Sequence, residues 1–372
     1  MYSLIILGLG ILNILIINYF NKNALWGIIL TSIAQYYIIH TISPEKFQLI
    51  LEAGILTINL YPNKIGLFFI KLIITMYIPI SLYVFYYIKF RPIQIIYIYG
   101  SLTTAVFAGL ANNLTTTFIA YELLTLTTIP LIYKDHSPQS IYYLKKYIKQ
   151  LITTALFFFL PAILYLNSII PNLDYTQEYN LTDTLPSYQI YILLFMLILG
   201  VVKAAILPLK WLIYASRAEY PVSAVLHSVS IVKAGLISLM KILSCIFGMK
   251  FITNLYILKV IIKLSIVYSS YKALFTIHCK RTLIYSTMSK LSTIFLIFIS
   301  RYNNGNTALV TEYNTNDNIT LSLLAIDAHS YIKLGLFMIF SKIYLTEKND
   351  NILQKNSAIY LIDIILLLIG FY

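Results

Sequence analysis

Apolar runs of the roughly 20 residues that a bilayer-crossing helix needs recur along this whole chain, separated by short polar stretches. They predict spans at about 3–20, 25–43, 65–88, 93–112, 114–133, 150–170, 187–207, 221–247, 252–271, 283–300, 319–341 and 357–372. The polar stretches alternate in sign. One set carries Lys22, Lys89, Arg91, Lys134, Lys145, Lys146, Lys149, Lys210, Arg217, Lys272, Lys280, Arg281, Lys342, Lys348 and Lys355. The other carries Glu45, Asp174, Glu178, Asp183, Glu312 and Asp317. Basic loops stay on the cytoplasmic or matrix side, so the N-terminus is expected to face outward. The expected fold is an all-α polytopic membrane protein with about twelve transmembrane helices.

Composition agrees. Of 372 residues, 59% are hydrophobic and only 11% charged, more apolar surface than a soluble domain of this size can hide. The net charge of +13 would suggest nucleic acid in a soluble protein. Here the basic residues lie in short loops between spans, so they are read as orientation signals and no nucleic acid is expected. Cys245 and Cys279 have no metal or redox spacing, and no phosphate-cradling glycine loop or nucleophile elbow is present. No cofactor is expected, and a soluble-enzyme reading has no residues to use. The first segment lacks a basic start and a small-residue cleavage site and is read as a retained span. No linker marks a soluble domain.

Ionisable residues inside the spans change the picture most. Glu122 lies in IAYELLTLTTIPLIY, Lys203 in LILGVVKAAILPL and Lys233 in LHSVSIVKAGLISLM. Each costs about 2.5–3.5 kcal/mol at the bilayer centre on insertion scales, so three in one chain suggest a pathway for charge. The bland alternatives are a fixed ion pair for Glu122 and a Lys203 that snorkels to the interface. Pro208, five residues after Lys203, predicts a broken helix, which membranes tolerate where it lines a polar cavity. His227 and Lys233 are expected on one helix, about 9 Å apart along its axis, close enough for one relay water. Gly235 would permit close helix contact. His329 and Lys333, four apart, share a face, with Asp327 just upstream. Tyr285, Ser286, Thr287, Ser289 and Lys290 form a weaker polar cluster that serves equally as packing glue.

The segments YELLTLTTIPLIY, LGVVKAAILPLKWL, YPVSAVLHSVSIVKAG, LIYSTMSKLS and AHSYIKLGLF resemble, in this order, the proton-translocating membrane domain shared by Mrp-type cation/proton antiporters and respiratory complex I. The resemblance covers about 90–370, and YELLTLTTIPL and VKAG look closer to the D-type component of Mrp antiporters than to the L, M or N components of complex I. It implies two inverted five-helix bundles, each with one broken helix. It implies an input-side carboxylate at Glu122 with Lys203 as partner, a central relay at His227 and Lys233, and an exit side at His329 and Lys333. Residues 1–90 are then N-terminal transmembrane helices, and 91–372 the antiporter-like domain. Family members usually continue past the second broken helix, so the expected architecture is C-terminally short. The last run, IDIILLLIGFY, offers only Asp363, and Lys290 stands where the family carries Gln.

The resemblance implies a subunit of a proton-coupled cation antiporter, with Na+ the expected cation, without a catalytic site of its own. The alternatives are a proton-pumping subunit of NADH:quinone oxidoreductase, hence part of a translocase, and a scaffold subunit that no longer transports. The expected partners are other hydrophobic membrane subunits, the lipid bilayer, protons and monovalent cations. The expected location is a bacterial plasma membrane or the mitochondrial inner membrane.

Overall fold

The computed structural model describes residues 2–300 and 315–349, apart from 21–23, 42, 54–55, 88–91, 134–137, 171–172, 177–178, 180–184, 205, 207–210, 216–217 and 277. The expected span at 357–372 with Asp363, most of the loop at 302–318, and Pro208 lie outside the described residues. The chain runs through α1 (Tyr2–Phe20), α2 (Ala24–Thr41), a hairpin of β1 (Leu49–Ala53) and β2 (Leu56–Leu60), then α3 (Lys64–Tyr87), α4 (Pro92–Leu110) and α5 (Leu114–Ile132). It continues through α6 (Pro138–Thr154), α7 (Leu160–Ile169), α8 (Ser187–Gly200), α9 (Trp211–Ala215), α10 (Tyr220–Ser228) and α11 (Ile231–Ile242). The last described helices are α12 (Met249–Asn254), α13 (Tyr256–Leu274), α14 (Cys279–Ile299) and α15 (Thr315–Asn349).

Among the described residues, seven stretches are long and apolar enough to cross a membrane: 64–83, 93–110, 114–132, 138–169, 220–247, 279–299 and 318–341. Shorter apolar helices lie at Tyr2–Ile16 and Ser187–Gly200. The fold is thus polytopic and helical, as expected. The span expected at 252–271 corresponds to α13, which carries Lys259, Lys263 and Lys272 along its length. The hairpin was not expected. Its antiparallel register sets Leu49 opposite Leu60 and Leu51 opposite Ile58, and Thr57 and Ile58 supply β-branched residues that suit a strand.

Helix interruptions position the interior. A π-helical turn at 155–159 joins α6 to α7, and another at 243–247 ends α11. Such turns carry one extra residue and often mark functional sites. The first sets Phe159 against Gly200, the last residue of α8, where a Cβ would fall 2.6 Å from the Phe159 Cβ. Immediately after, α8 gives way to a short 3₁₀ turn at Val202–Ala204, so Lys203 sits on a broken helix as expected. A break between His227 and Lys233 was not expected. α10 ends at Ser228 and α11 starts at Ile231, so His227 and Lys233 do not share one continuous helix. Ser230 amide and hydroxyl both turn back to the Val225 carbonyl, which redirects the backbone between them.

Candidate functional site

Glu122 is half-buried on α5, one residue beyond the fully enclosed Tyr121. The Phe159 ring fixes Tyr121 edge-on, with centroids 5.9 Å apart. The Tyr121 carbonyl accepts the Thr125 hydroxyl at 3.0 Å and also the Lys203 ammonium, while that ammonium lies 4.4 Å from the Tyr121 ring centroid. Carbonyl and ring face together satisfy a buried cation, the ring through its quadrupole. Among the described residues no hydrogen bond joins Glu122 to Lys203; the lysine holds the backbone next to the carboxylate. This arrangement lets the charge of Glu122 act on Lys203 without a fixed pair.

The break bearing Lys203 presses on α11. A Cβ on Gly235 would lie 2.2 Å from the Lys203 carbonyl carbon and 2.3 Å from the Ala204 nitrogen. Glycine is required for that backbone approach. The Tyr121 hydroxyl donates to the Gly235 carbonyl at 3.2 Å, tying α5 to the same point. Two residues back on α11, Lys233 is fully buried and its Nζ bonds Nδ1 of His329 on α15. Which of the two nitrogens donates depends on the imidazole tautomer. One helical turn along α15, Lys333 donates to the Ser286 hydroxyl and, at 3.3 Å, to the Leu283 carbonyl on α14.

Among the six expected residues, Lys233 and His329 touch directly, Lys203 bonds the backbone beside Glu122, and Lys333 follows His329 by one turn of α15. His227 stands to one side. Its ring stacks on Phe337 of α15 at 5.8 Å, and neither ring nitrogen has a hydrogen-bond partner among the described residues. Buried polar nitrogens of this kind are rare and point to water or a transient partner. Tyr121 and Ser286 enter the line as partners that charge alone could not single out. Lys241, buried eight residues after Lys233, was also missed, although its place inside the 221–247 run was signal enough.

Residues 111–371 match the family described as NADH:quinone oxidoreductase/Mrp antiporter, TM. NADH-quinone oxidoreductase subunit L of Buchnera aphidicola subsp. Baizongia pistaciae (strain Bp) is 39% identical over 107 residues, 28% of this chain and 17% of that protein. The chloroplastic NAD(P)H-quinone oxidoreductase subunit 5 of Nuphar advena is 36% identical over 104 residues, 27% and 14% respectively. The chain thus aligns with less than a fifth of either curated relative. The same fold recurs in the Mrp complex from Dietzia sp. DQ12-45-1b, with a TM-score of 0.75 at 17% identity over 91% of this chain and 37% of the matched one. It recurs too in the membrane-bound sulfane sulfur reductase, an archaeal respiratory membrane complex, with a TM-score of 0.73 at 18% identity, 92% and 71% covered. A match over well more than half of its length makes the chain a member of the NADH:quinone oxidoreductase/Mrp antiporter transmembrane family.

Proposed function

We propose that the chain moves protons along the line Glu122, Lys203, Lys233, His329 and Lys333, as one membrane subunit of a larger respiratory assembly. The observation that carries this reading is the bond between Lys233 and His329, which joins two buried titratable groups from distant parts of the chain. A proton on Glu122 removes a negative charge beside Lys203. The Lys203 ammonium is then less stabilised, and positive charge shifts toward the next station. His329 accepts at Nδ1 and releases at Nε2, so it passes charge toward Lys333 without moving its backbone. His227, whose ring nitrogens have no hydrogen-bond partner among the described residues, serves as a side station for the same proton.

The two curated relatives are quinone oxidoreductase subunits, which favours a driver supplied by quinone reduction elsewhere in a complex of the complex I type. The fold shared with the Mrp complex supports the second reading, a cation/proton antiporter subunit in which monovalent cation movement drives the line. The acid-rich and basic loop sets favour an outward N-terminus, and contacts support their grouping. Asn59, beyond the Glu45 loop, bonds Asp174 at 2.8 Å, while Lys280 donates to the Ala218 carbonyl beside Arg217. Glu122→Gln tests the proposal. Proton uptake by inverted vesicles holding the intact assembly should fall by about two orders of magnitude or more, the scale of a lost acid–base group. Uptake at the parental rate would remove Glu122 from the pathway.

A further inference from the structure

The hairpin end of the bundle holds a second polar system that the relay does not use. Lys241, 1% exposed, donates to the Gly109 carbonyl at 2.6 Å and to the Ala111 carbonyl at 3.2 Å. These carbonyls close α4, where the helix dipole is negative and a cation is favoured. The cradle is shaped for the ammonium. A Cβ on Gly66 would lie 2.6 Å from Lys241 Nζ and 2.3 Å from the Gly109 oxygen. The π-helical turn at 243–247 begins two residues later, and its Cys245 Sγ reaches the Tyr175 carbonyl at 3.2 Å.

Directly after Ala111 in the chain, Asn112 joins a cluster with Asn59 and the half-buried Asp174. The Asn112 amide bonds the Asn59 carbonyl, and the Tyr175 amide bonds the Asn112 carbonyl. The side-chain oxygens of Asn59 and Asn112 are almost fully buried and have no hydrogen-bond partner among the described residues. Such acceptors favour water or a cation. The same cluster continues into α5, whose N-cap Asn113 bridges Asp174 and is followed at four-residue spacing, on one face, by Thr117 and Tyr121. The Thr117 hydroxyl meets Tyr175 Oη at 3.1 Å, and Tyr121 holds both Lys203 and Gly235. A polar seam thus runs from the hairpin end toward the lysine beside Glu122. Unblocked, it would short-circuit any proton gradient.

We propose that Lys241 is an electrostatic seal: a fixed ammonium that stops hydronium and metal cations passing between the hairpin end and the relay. A positive charge held on backbone carbonyls repels cations in a narrow polar seam, and it need not titrate to do so. The inference rests on the relay reading, because a leak needs the relay as its second half. It differs from simple helix capping in its readout, which is passive permeability rather than folding.

The test is the decay of an imposed pH gradient in sealed vesicles holding the intact assembly, without any driving reaction and at matched protein amount. Lys241→Met should speed the decay by about tenfold, since loss of a well-placed charge is worth at least that factor. Lys241→Arg keeps a permanent cation and should leave vesicles as tight as the parent. Gly66→Ala, which pushes the ammonium off its carbonyls with the charge retained, should leak to an intermediate degree and serves if Lys241→Met does not accumulate. Tight Lys241→Met vesicles would overturn the seal, as would an Arg variant as leaky as the Met one. Driven uptake in Glu122→Gln reports on the relay and not on the seal, so the two can fail separately.

Discussion

The spans at Pro138–Ile169 and Tyr220–Phe247 are both apolar enough to cross a membrane, and both carry lysines, but they use them in opposite ways. In the most apolar stretch of the first about a third of the residues are buried inside the protein, and in that of the second all are. Lys145, Lys146 and Lys149 of the first are exposed, and Lys146 rests over the Tyr142 ring at 4.4 Å. Lys233 and Lys241 of the second are enclosed, each against a specific acceptor. Hydrophobicity decides that both enter the membrane. Position in the bundle decides which lysines meet water or headgroups and which meet protein. The enclosed ones have to be satisfied by named groups, and those groups come from helices far away in sequence.

The largest expected effect that sharpens this contrast is at Gly235. Gly235→Ala drives a Cβ into the Lys203–Ala204 backbone, which has no flexible end to swing aside. It should cost about 1–3 kcal/mol, as overpacked cores do, and should abolish transport. Gly8→Ala and Gly335→Ala, which meet nothing within 4 Å, should leave both unchanged. Thermal unfolding followed by size-exclusion chromatography of detergent-solubilised assembly checks all three.

A smaller effect is expected on the outer span. Lys145→Gln, Lys146→Gln and Lys149→Gln together should change stability by less than about 1 kcal/mol, the scale of exposed charge contacts. Proton uptake should stay parental. Lost uptake in that triple variant would mean that the exposed lysines feed the pathway, and the contrast between the spans would collapse.

The smallest effect concerns the hairpin end. Burial raises the Asp174 carboxyl above its ordinary range, and the hydrogen bond from Asn59 opposes that shift in part. With the folded-state value raised, this group stabilises the fold below its unfolded pKa of 3.8, and that contribution fades as pH climbs through the folded value. Asp174→Asn should therefore flatten the pH dependence of stability just above pH 3.8, measured as the unfolding temperature across mildly acidic buffers. A steeper dependence in the variant would contradict the sign.

The sequence carried much of this architecture because membranes punish exceptions. Glu122, Lys203 and Lys233 stand out against apolar surroundings, and the spacing of His329 and Lys333 survives in α15. The break at Lys203 was foreshadowed by Pro208. The break between Ser228 and Ile231 was not, because no proline or glycine marks it and the Ser230 bonds to Val225 depend on the folded backbone. The β-hairpin was hidden for a related reason. The strands LILEA and LTINL are apolar but too short to cross a membrane, and the register that joins Leu49 to Leu60 is a property of the pair. Tyr121 was unreadable as a partner because it bears no charge, and Ser286 stood only as one hydroxyl of a weak polar cluster. Their roles come from which ammonium the packing brings to them.

The bond between Lys233 and His329 is where the account is most directly exposed. Proton uptake should be measured for Lys233→Met, His329→Leu and the two combined, in the same vesicles at matched protein amount. If both groups serve one line, each single change should lower uptake by about two orders of magnitude, and the double variant should be no worse than either. Parental uptake in either single variant, or losses that multiply in the double, would contradict a shared pathway through this pair.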